Sequence, residues 1–226
     1  MFTGLLSVYQ TYKFDLGYKK TVQHAEILES SLKEYLWTYN AYPCPADPTL
    51  LPTDPDYGVS VRCGLGDGGN DCSIQRPALE NAPTIESNVT CAESLVDRNN
   101  DGINDMVLIG AFPFKTLSDA GISDFYREVY AFDGYDMRYT YAVSANMAAP
   151  ASHSRSTMVS PHFGAITVVD ENGEQVTEPP NSAHYVIVSH GENKRGAYSP
   201  AGVQNQNCIF STLILDGIDD PTIPGN

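Results

Sequence analysis

The chain has 226 residues, enough for one domain with a real core. Thirteen basic against 28 acidic residues give a net charge of −15, which argues against nucleic-acid binding and against electrostatic docking on anionic lipid. Hydrophobic content is 42%, ordinary for a folded domain, and no run approaches the roughly 18 apolar residues of a membrane span.

The chain opens on a long amphipathic stretch. From Val22 the apolar positions run Val22, Ala25, Leu28, Leu32, Tyr35, Leu36 and Tyr39, a three-and-four spacing that predicts one apolar helix face. The pattern continues upstream through Tyr9, Tyr12 and Leu16. A single helix from Leu5 to Asn40 would be roughly 54 Å long at about 1.5 Å per residue. A head of this size needs only the second half for its core, so the first half is expected to project. Its apolar upstream end (Phe2, Leu5, Leu6, Val8) carries the expectation that an apolar segment belongs ahead of Met1, with Met1 an introduced start. Gly17 is the weak point of the helix, and Pro43, Pro45 and Pro48 stop it.

Residues 43–105 follow as a loop region rich in Pro and Gly. A structureless loop this long is unusual unless it is functional or stapled. Four of the five cysteines, Cys44, Cys63, Cys72 and Cys91, lie in it, and Cys208 lies near the end. No pair has the short spacing of a zinc site, so disulfides in an oxidising compartment are the expectation. Cys63 and Cys72 flank a Gly-rich turn and could close a small loop. Cys44 with Cys91, or either with Cys208, is an open alternative. Asn88-Val89-Thr90 matches a short glycosylation sequon.

From residue 106 to 216 the texture is that of strands. The expected ones are Met106–Ala111, Arg138–Ser144, Ala165–Asp170, Ala183–Ser189 and Ile209–Leu215, rich in Val, Ile, Tyr and Thr. A turn is predicted at Asp170-Glu171-Asn172-Gly173, a short helix within 115–128 and a surface loop over 145–162. Residues 217–226 read as a polar tail. The fold class is α+β: a long N-terminal helix (1–42) packed on an antiparallel sheet, with a disulfide-stapled loop region between them, in a single domain over 1–226.

Several segments carry a family resemblance: Tyr42-Pro43-Cys44-Pro45-Ala46-Asp47, Ile109-Gly110-Ala111-Phe112-Pro113-Phe114-Lys115-Thr116-Leu117, Ala131-Phe132-Asp133-Gly134-Tyr135-Asp136-Met137-Arg138-Tyr139-Thr140-Tyr141, and His184-Tyr185-Val186-Ile187-Val188-Ser189-His190-Gly191. With the helix-then-sheet order, the chain resembles the type IV pilins and the pseudopilins of type II secretion. The third segment is similar to the Asp-x-Trp-Gly-x-x-x-x-Tyr block of pseudopilins, with Gly134-Tyr135 departing from Trp-Gly. The family's cleavage site followed by Phe and an apolar run carrying a Glu is absent. The resemblance implies a structural filament subunit, anchored in the bacterial inner membrane through a missing N-terminal segment. It would face the periplasm, or the exterior once assembled, with other pilin or pseudopilin subunits as partners. Pilus and secretion pseudopilus stay open, as do major and minor subunit.

The sharpest local motif is Asp97-Arg98-Asn99-Asn100-Asp101-Gly102-Ile103-Asn104-Asp105. Side-chain oxygens of Asp97, Asn99, Asp101 and Asp105 with the Ile103 carbonyl fit a calcium loop, and Gly102 permits its sharp turn. Leu108 replaces the bidentate acid at position twelve, so Glu93 is the candidate to complete the shell. The alternative is an acidic turn leading into a strand.

None of the histidines at 24, 153, 162, 184 and 190 forms a zinc-protease pattern. Ser189, His190 and Asp216 would be the residues of a periplasmic hydrolase, but no nucleophile elbow surrounds Ser189 and sequence neighbours on a strand point apart, so no enzyme is expected. Fourteen tyrosines, with Tyr126, Tyr130, Tyr135, Tyr139 and Tyr141 clustered, suit an interface or a half-buried sheet equally. An adhesive or binding module using the Cys-rich loop region is the second functional expectation.

Overall fold

The computed structural model describes residues 3–61, 63, 87–97, 104–122, 128–148 and 163–205, with side chains from residue 12 onward. The chain opens with α1, Thr3–Tyr39, whose 37 residues make a rod of about 55 Å. Nothing in it breaks the backbone, since it holds no proline. It ends where Asn40 takes a left-handed conformation (φ 55°) and donates its N–H to the Leu36 carbonyl at 2.8 Å. Asn tolerates that geometry because its short polar side chain relieves the usual steric cost.

The buried stripe of α1 is Gly17, His24, Leu28, Ser31 and Leu32, with Thr21, Tyr35 and Leu36 half-buried beside it. This keeps the centre of the predicted face and corrects its ends. Leu28 and Leu32 are fully enclosed, but Val22 is 39% and Tyr39 47% exposed. The reason is that the head meets the helix partly through polar groups and a close backbone approach, which a count of apolar residues does not register.

The sheet has four antiparallel strands in the order β1 (Thr90–Glu93), β2 (Met106–Ala111), β3 (Thr140–Ser144), β4 (Tyr185–Val188). Leu108 lies opposite Cys91 on one side and Val143 on the other, and Tyr141 lies opposite Ile187. Alternation of side chains divides the sheet into two faces. Leu108, Tyr141, Val143, Tyr185 and Ile187 pack with Leu28 and Leu32 of α1. Val107, Ala142 and Val186 turn the other way and pack with Ile166 and Val168. Burying Leu28 and Leu32 stabilises the docked helix by roughly 1.5–3 kcal/mol each.

β2 occupies the predicted range, while the neighbouring strands are shorter than expected. Arg138 leaves the ladder: its N–H bonds the Tyr198 carbonyl at 2.9 Å, so β3 begins at Thr140. Residues 165–170 form only isolated pairs, Ile166 with Ala183 and Val169 with Gln175. Their partner stretch contains Pro179 and Pro180, which lack the N–H groups a ladder needs. Ile209–Leu215 lies outside the described residues. β1 was not expected, because it is short, polar and set within the Cys-rich region.

α2 (Phe114–Asp119) is the short helix predicted after β2, and a 3-10 turn spans Glu128–Ala131. The surface-loop expectation for 145–162 fails at its start. There α3 (Ala145–Ala148) buries Ala145, Met147 and Ala148, and the Met147 carbonyl accepts the Tyr42 N–H at 2.9 Å.

The loop region is stapled by Cys44–Cys63, with Cα atoms 6.1 Å apart. Ala46 pairs with Ser60, and the Val61 N–H bonds the Pro45 carbonyl at 2.9 Å, so the two arms lie side by side. This overturns the small Cys63–Cys72 loop and the Cys44–Cys91 alternative. Cys91 is also disulfide-bonded, and its partner lies outside the described residues together with Cys72 and Cys208. Ala46 additionally exchanges two backbone bonds with Ala111, at 2.9 and 2.8 Å, tying the stapled segment to the end of β2.

Candidate functional site

Only the two ends of the predicted calcium loop are described. Asp97 and Asp105 flank residues 98–103, so Asn99, Asp101 and Ile103 lie outside the described set. The Asp105 N–H bonds the Val96 carbonyl at 2.7 Å and its carbonyl accepts the Ser94 N–H at 2.8 Å, which closes the base of the loop. Glu93, the candidate twelfth-position substitute, accepts from the Asn104 side chain at 3.1 Å and so stands at that base. Among the described residues no group of three acidic, His or Cys side chains is close enough to hold a metal.

Ser189 and His190 face different partners. The Ser189 hydroxyl donates to Asp133 Oδ2 at 2.7 Å. His190 donates from Nδ1 to the Arg195 carbonyl at 2.6 Å, which leaves Nε2 to accept the Thr140 hydroxyl at 2.8 Å. Burial pushes the His190 pKa down, opposed by the Arg195 carbonyl and the Asp133 carboxylate. Both lone-pair and donor positions of the ring are thus committed to holding the turn at 190–196, and no nucleophile–base pair forms between these two residues. Asp216 lies outside the described residues.

Asp133 is a hub that the sequence reading missed. Fully buried, it accepts from the Tyr135 N–H at 2.9 Å, the Met137 N–H at 3.0 Å and Ser189. It shapes the turn Asp133–Met137, in which Asp136 is left-handed. That turn meets α1. The Gly134 N–H donates to the Thr21 hydroxyl at 2.9 Å, the Tyr139 hydroxyl to the Thr21 carbonyl at 2.8 Å, and His24 Nδ1 to the Phe132 carbonyl at 2.7 Å. The signal available beforehand was the Asp-Gly pair at 133–134, a turn signature.

Arg138 was also missed. Its guanidinium is buried and donates to the carbonyls of Pro48 (2.8 Å), Leu50 (2.7 Å) and Pro200 (2.6 Å), while lying 4.8 Å from the Tyr57 ring. Burial lowers its pKa, with Tyr57 and Asp47 acting the other way. The adjoining cavity holds about 10 Å³, room for about one water molecule and too little for a small-molecule ligand. This cluster ties the stapled segment to β3.

Of the tyrosine cluster, Tyr139 and Tyr141 are core residues, 1% and 0% exposed, and burial raises both phenol pKa values. Tyr130 and Tyr135 are half-buried, and Tyr126 lies outside the described residues.

Exposed apolar side chains also lie on the N-terminal part of α1. Tyr12 is 63%, Phe14 47%, Leu16 55% and Tyr18 60% exposed, on either side of the first buried position at Gly17. By helical spacing Tyr12 and Leu16 share one side of α1, and Phe14 and Tyr18 another. No helix among the described residues is long and apolar enough to cross a membrane. Comparison with protein-family models, with curated proteins and with solved structures finds no match.

Proposed function

We propose that this chain is a structural subunit of a bacterial type IV pilus-like or type II secretion pseudopilus filament, assembling through its N-terminal helix. The observation that carries this reading is α1 itself. Its second half is fixed to a four-stranded antiparallel sheet, while its first half leaves Tyr12, Phe14, Leu16 and Tyr18 exposed. A monomer gains nothing from that exposure, whereas bundled copies of the helix would remove it from water. The segment resemblance described above supports this reading. Other subunits and the inner membrane are the partners this reading requires, and calcium at Asp97–Asp105 and the disulfides would stiffen the head. The test is expression of the natural gene, with its native upstream sequence, in its own cells. The subunit is expected in sheared filaments or in the inner-membrane fraction, and its complete absence from both would overturn the proposal.

A second reading rests on the Cys44–Cys63 bridge and the bonded Cys91, which fix the base of a long loop region as an adhesive or tip surface would require. Deleting residues 64–86, with Cys91→Ser, should then abolish surface binding with the fold intact. Unchanged binding would remove this reading.

A further inference from the structure

The segment Asn88-Val89-Thr90 leads into β1, the outer strand of the sheet beside β2. Successive side chains of an extended segment point to opposite sides. Val89 points inward, 6% exposed, and belongs to the core that holds Leu108, while Asn88 and Thr90 are both exposed. Gly110 on β2 makes room for it: a Cβ there would lie 3.1 Å from Val89 Cγ2. The buried valine thus locks the segment so that its two polar side chains are presented to solvent on the same side.

The backbone at Asn88 is held from below. Buried Asp47 accepts the Asn88 N–H at 3.1 Å through Oδ2, and the Thr49 N–H and hydroxyl at 2.9 and 2.7 Å through Oδ1. The Asn88 side chain lies outside this anchor. Its Nδ2 donates to Thr49 Oγ1 at 2.9 Å in an exposed place, where water can take over the bond. The amide can therefore be substituted without opening the core.

Asparagine, a residue other than proline, and then a hydroxyl residue form the acceptor sequence for asparagine-linked glycans. Glu86 stands two residues ahead, so 86–90 read Glu-Ser-Asn-Val-Thr, the acid-extended form that bacterial transferases use. The cysteines around the segment give independent support. Cys91, directly after Thr90, is disulfide-bonded, and Cys44–Cys63 closes the arm that carries Asp47 and Thr49. Disulfides belong to oxidising compartments outside the cytosol, where transfer to such sequences takes place.

We propose that Asn88 is a glycosylation site, taking an oligosaccharide on Nδ2 from a polyprenyl-pyrophosphate-linked donor. Nδ2 forms a bond to the anomeric carbon C1 of the first sugar. The C1–O bond to the pyrophosphate breaks, and its electron pair leaves with the lipid pyrophosphate. One amide proton is released, so no oxidant or reductant takes part. The attached glycan covers the outer edge of β1, which among the described residues carries no further strand. An uncovered edge is a template for pairing with another chain, so the glycan keeps copies from joining there.

The test uses the chain with its native upstream sequence, made in its own cells and recovered with its disulfides formed. Mass spectrometry of the peptide that holds Asn88 should find the mass of an oligosaccharide, sugar fragment ions, and attachment at Asn88. Asn88→Gln and Thr90→Ala should each abolish the modification, and Thr90→Ser should keep it. Thr90→Ala leaves the Asn88 amide and its Thr49 partner in place, so loss in that variant reports recognition of the hydroxyl by the transferase. Both altered side chains are exposed, and circular dichroism checks that the variants fold. Asn88 recovered only as the free amide from the disulfide-bonded parent protein, or a modification that survives Thr90→Ala, would overturn the proposal.

Discussion

Gly134→Ala tests how the head holds the helix. A methyl at that position would lie 1.8 Å from the Gly17 carbonyl oxygen, 2.6 Å from its carbon and 2.8 Å from its Cα. All three are backbone atoms of α1, so no side-chain rotation relieves the clash. Ordinary contact needs roughly 3.5 Å, so the helix must retreat by more than about 1 Å. Gly134 has an ordinary φ, and the penalty is therefore steric. Retreat breaks the Gly134–Thr21 bond and strains those from Tyr139 and His24. Overpacking costs about 1–3 kcal/mol and each lost hydrogen bond about 1 kcal/mol, for a loss of about 3–4 kcal/mol. In a chain of this size that lowers Tm by roughly 10 °C. Thermal unfolding followed by circular dichroism measures it, and hydrogen exchange over residues 17–28 should lose protection first. Gly17→Ala is the control. Its methyl would lie nearest the Tyr135 ring, 2.7 Å from Cε1, 3.1 Å from Cζ and 3.2 Å from Cδ1, on a side chain able to swing aside, and Ala favours a helix by about 1 kcal/mol over Gly. That variant should be near neutral. If Gly134→Ala unfolds within about 2 °C of the parent and keeps its exchange protection, the close approach does not position α1 and the reasoning is wrong.

Arg138→Met should lower stability by about 3 kcal/mol or more in urea unfolding, because three carbonyls lose a charged donor in a buried place. Replacing Cys44 and Cys63 together with Ala should cost about 3 kcal/mol in the same assay, the chain-entropy value for a loop of this length. The lowered pKa of His190 sets a pH dependence of definite sign. The unfolded chain takes up a proton near pH 6.5 while the folded ring stays neutral, so stability is full above about pH 6.5 and falls as pH drops below it. His190→Gln should flatten that part of the profile of urea midpoint against pH, and an unchanged slope would exclude His190 as its source. Millimolar calcium should raise Tm through the loop Asp97–Asp105, and Asp97→Asn should remove the increment; no shift in the parent protein would leave an acidic turn.

The layout was legible where a single periodicity runs long enough to be read. A proline-free stretch with spaced apolar residues predicted α1 almost to its ends, and Met106–Ala111 was placed correctly because it is short, β-rich and bounded by polar residues. The orientation of the helix was legible only in part: Leu28 and Leu32 face the core as expected, with Tyr35 and Leu36 beside them. Val22 and Tyr39 counted toward the apolar face, yet the head also contacts Gly17, Thr21 and His24, whose partners are the Gly134 backbone, the Tyr139 hydroxyl and the Phe132 carbonyl, all more than 100 residues away. Such partners are invisible to a local pattern, as is the reason Ala165–Asp170 fails as a strand, which lies in Pro179 and Pro180 of the opposing arm. The same limit explains the site residues. Ser189 and His190 were candidates for a hydrolase that their adjacency already argued against, and Asp133, Thr140 and Arg195 hold them as parts of a scaffold. Asp133 in turn builds the turn whose Gly134 admits the helix. Asp133, His24 and the close Gly17–Gly134 approach thus act together to fix α1 on the head, while Tyr12, Phe14, Leu16 and Tyr18 of the same helix stay exposed, which is the arrangement the proposed helix bundling calls for.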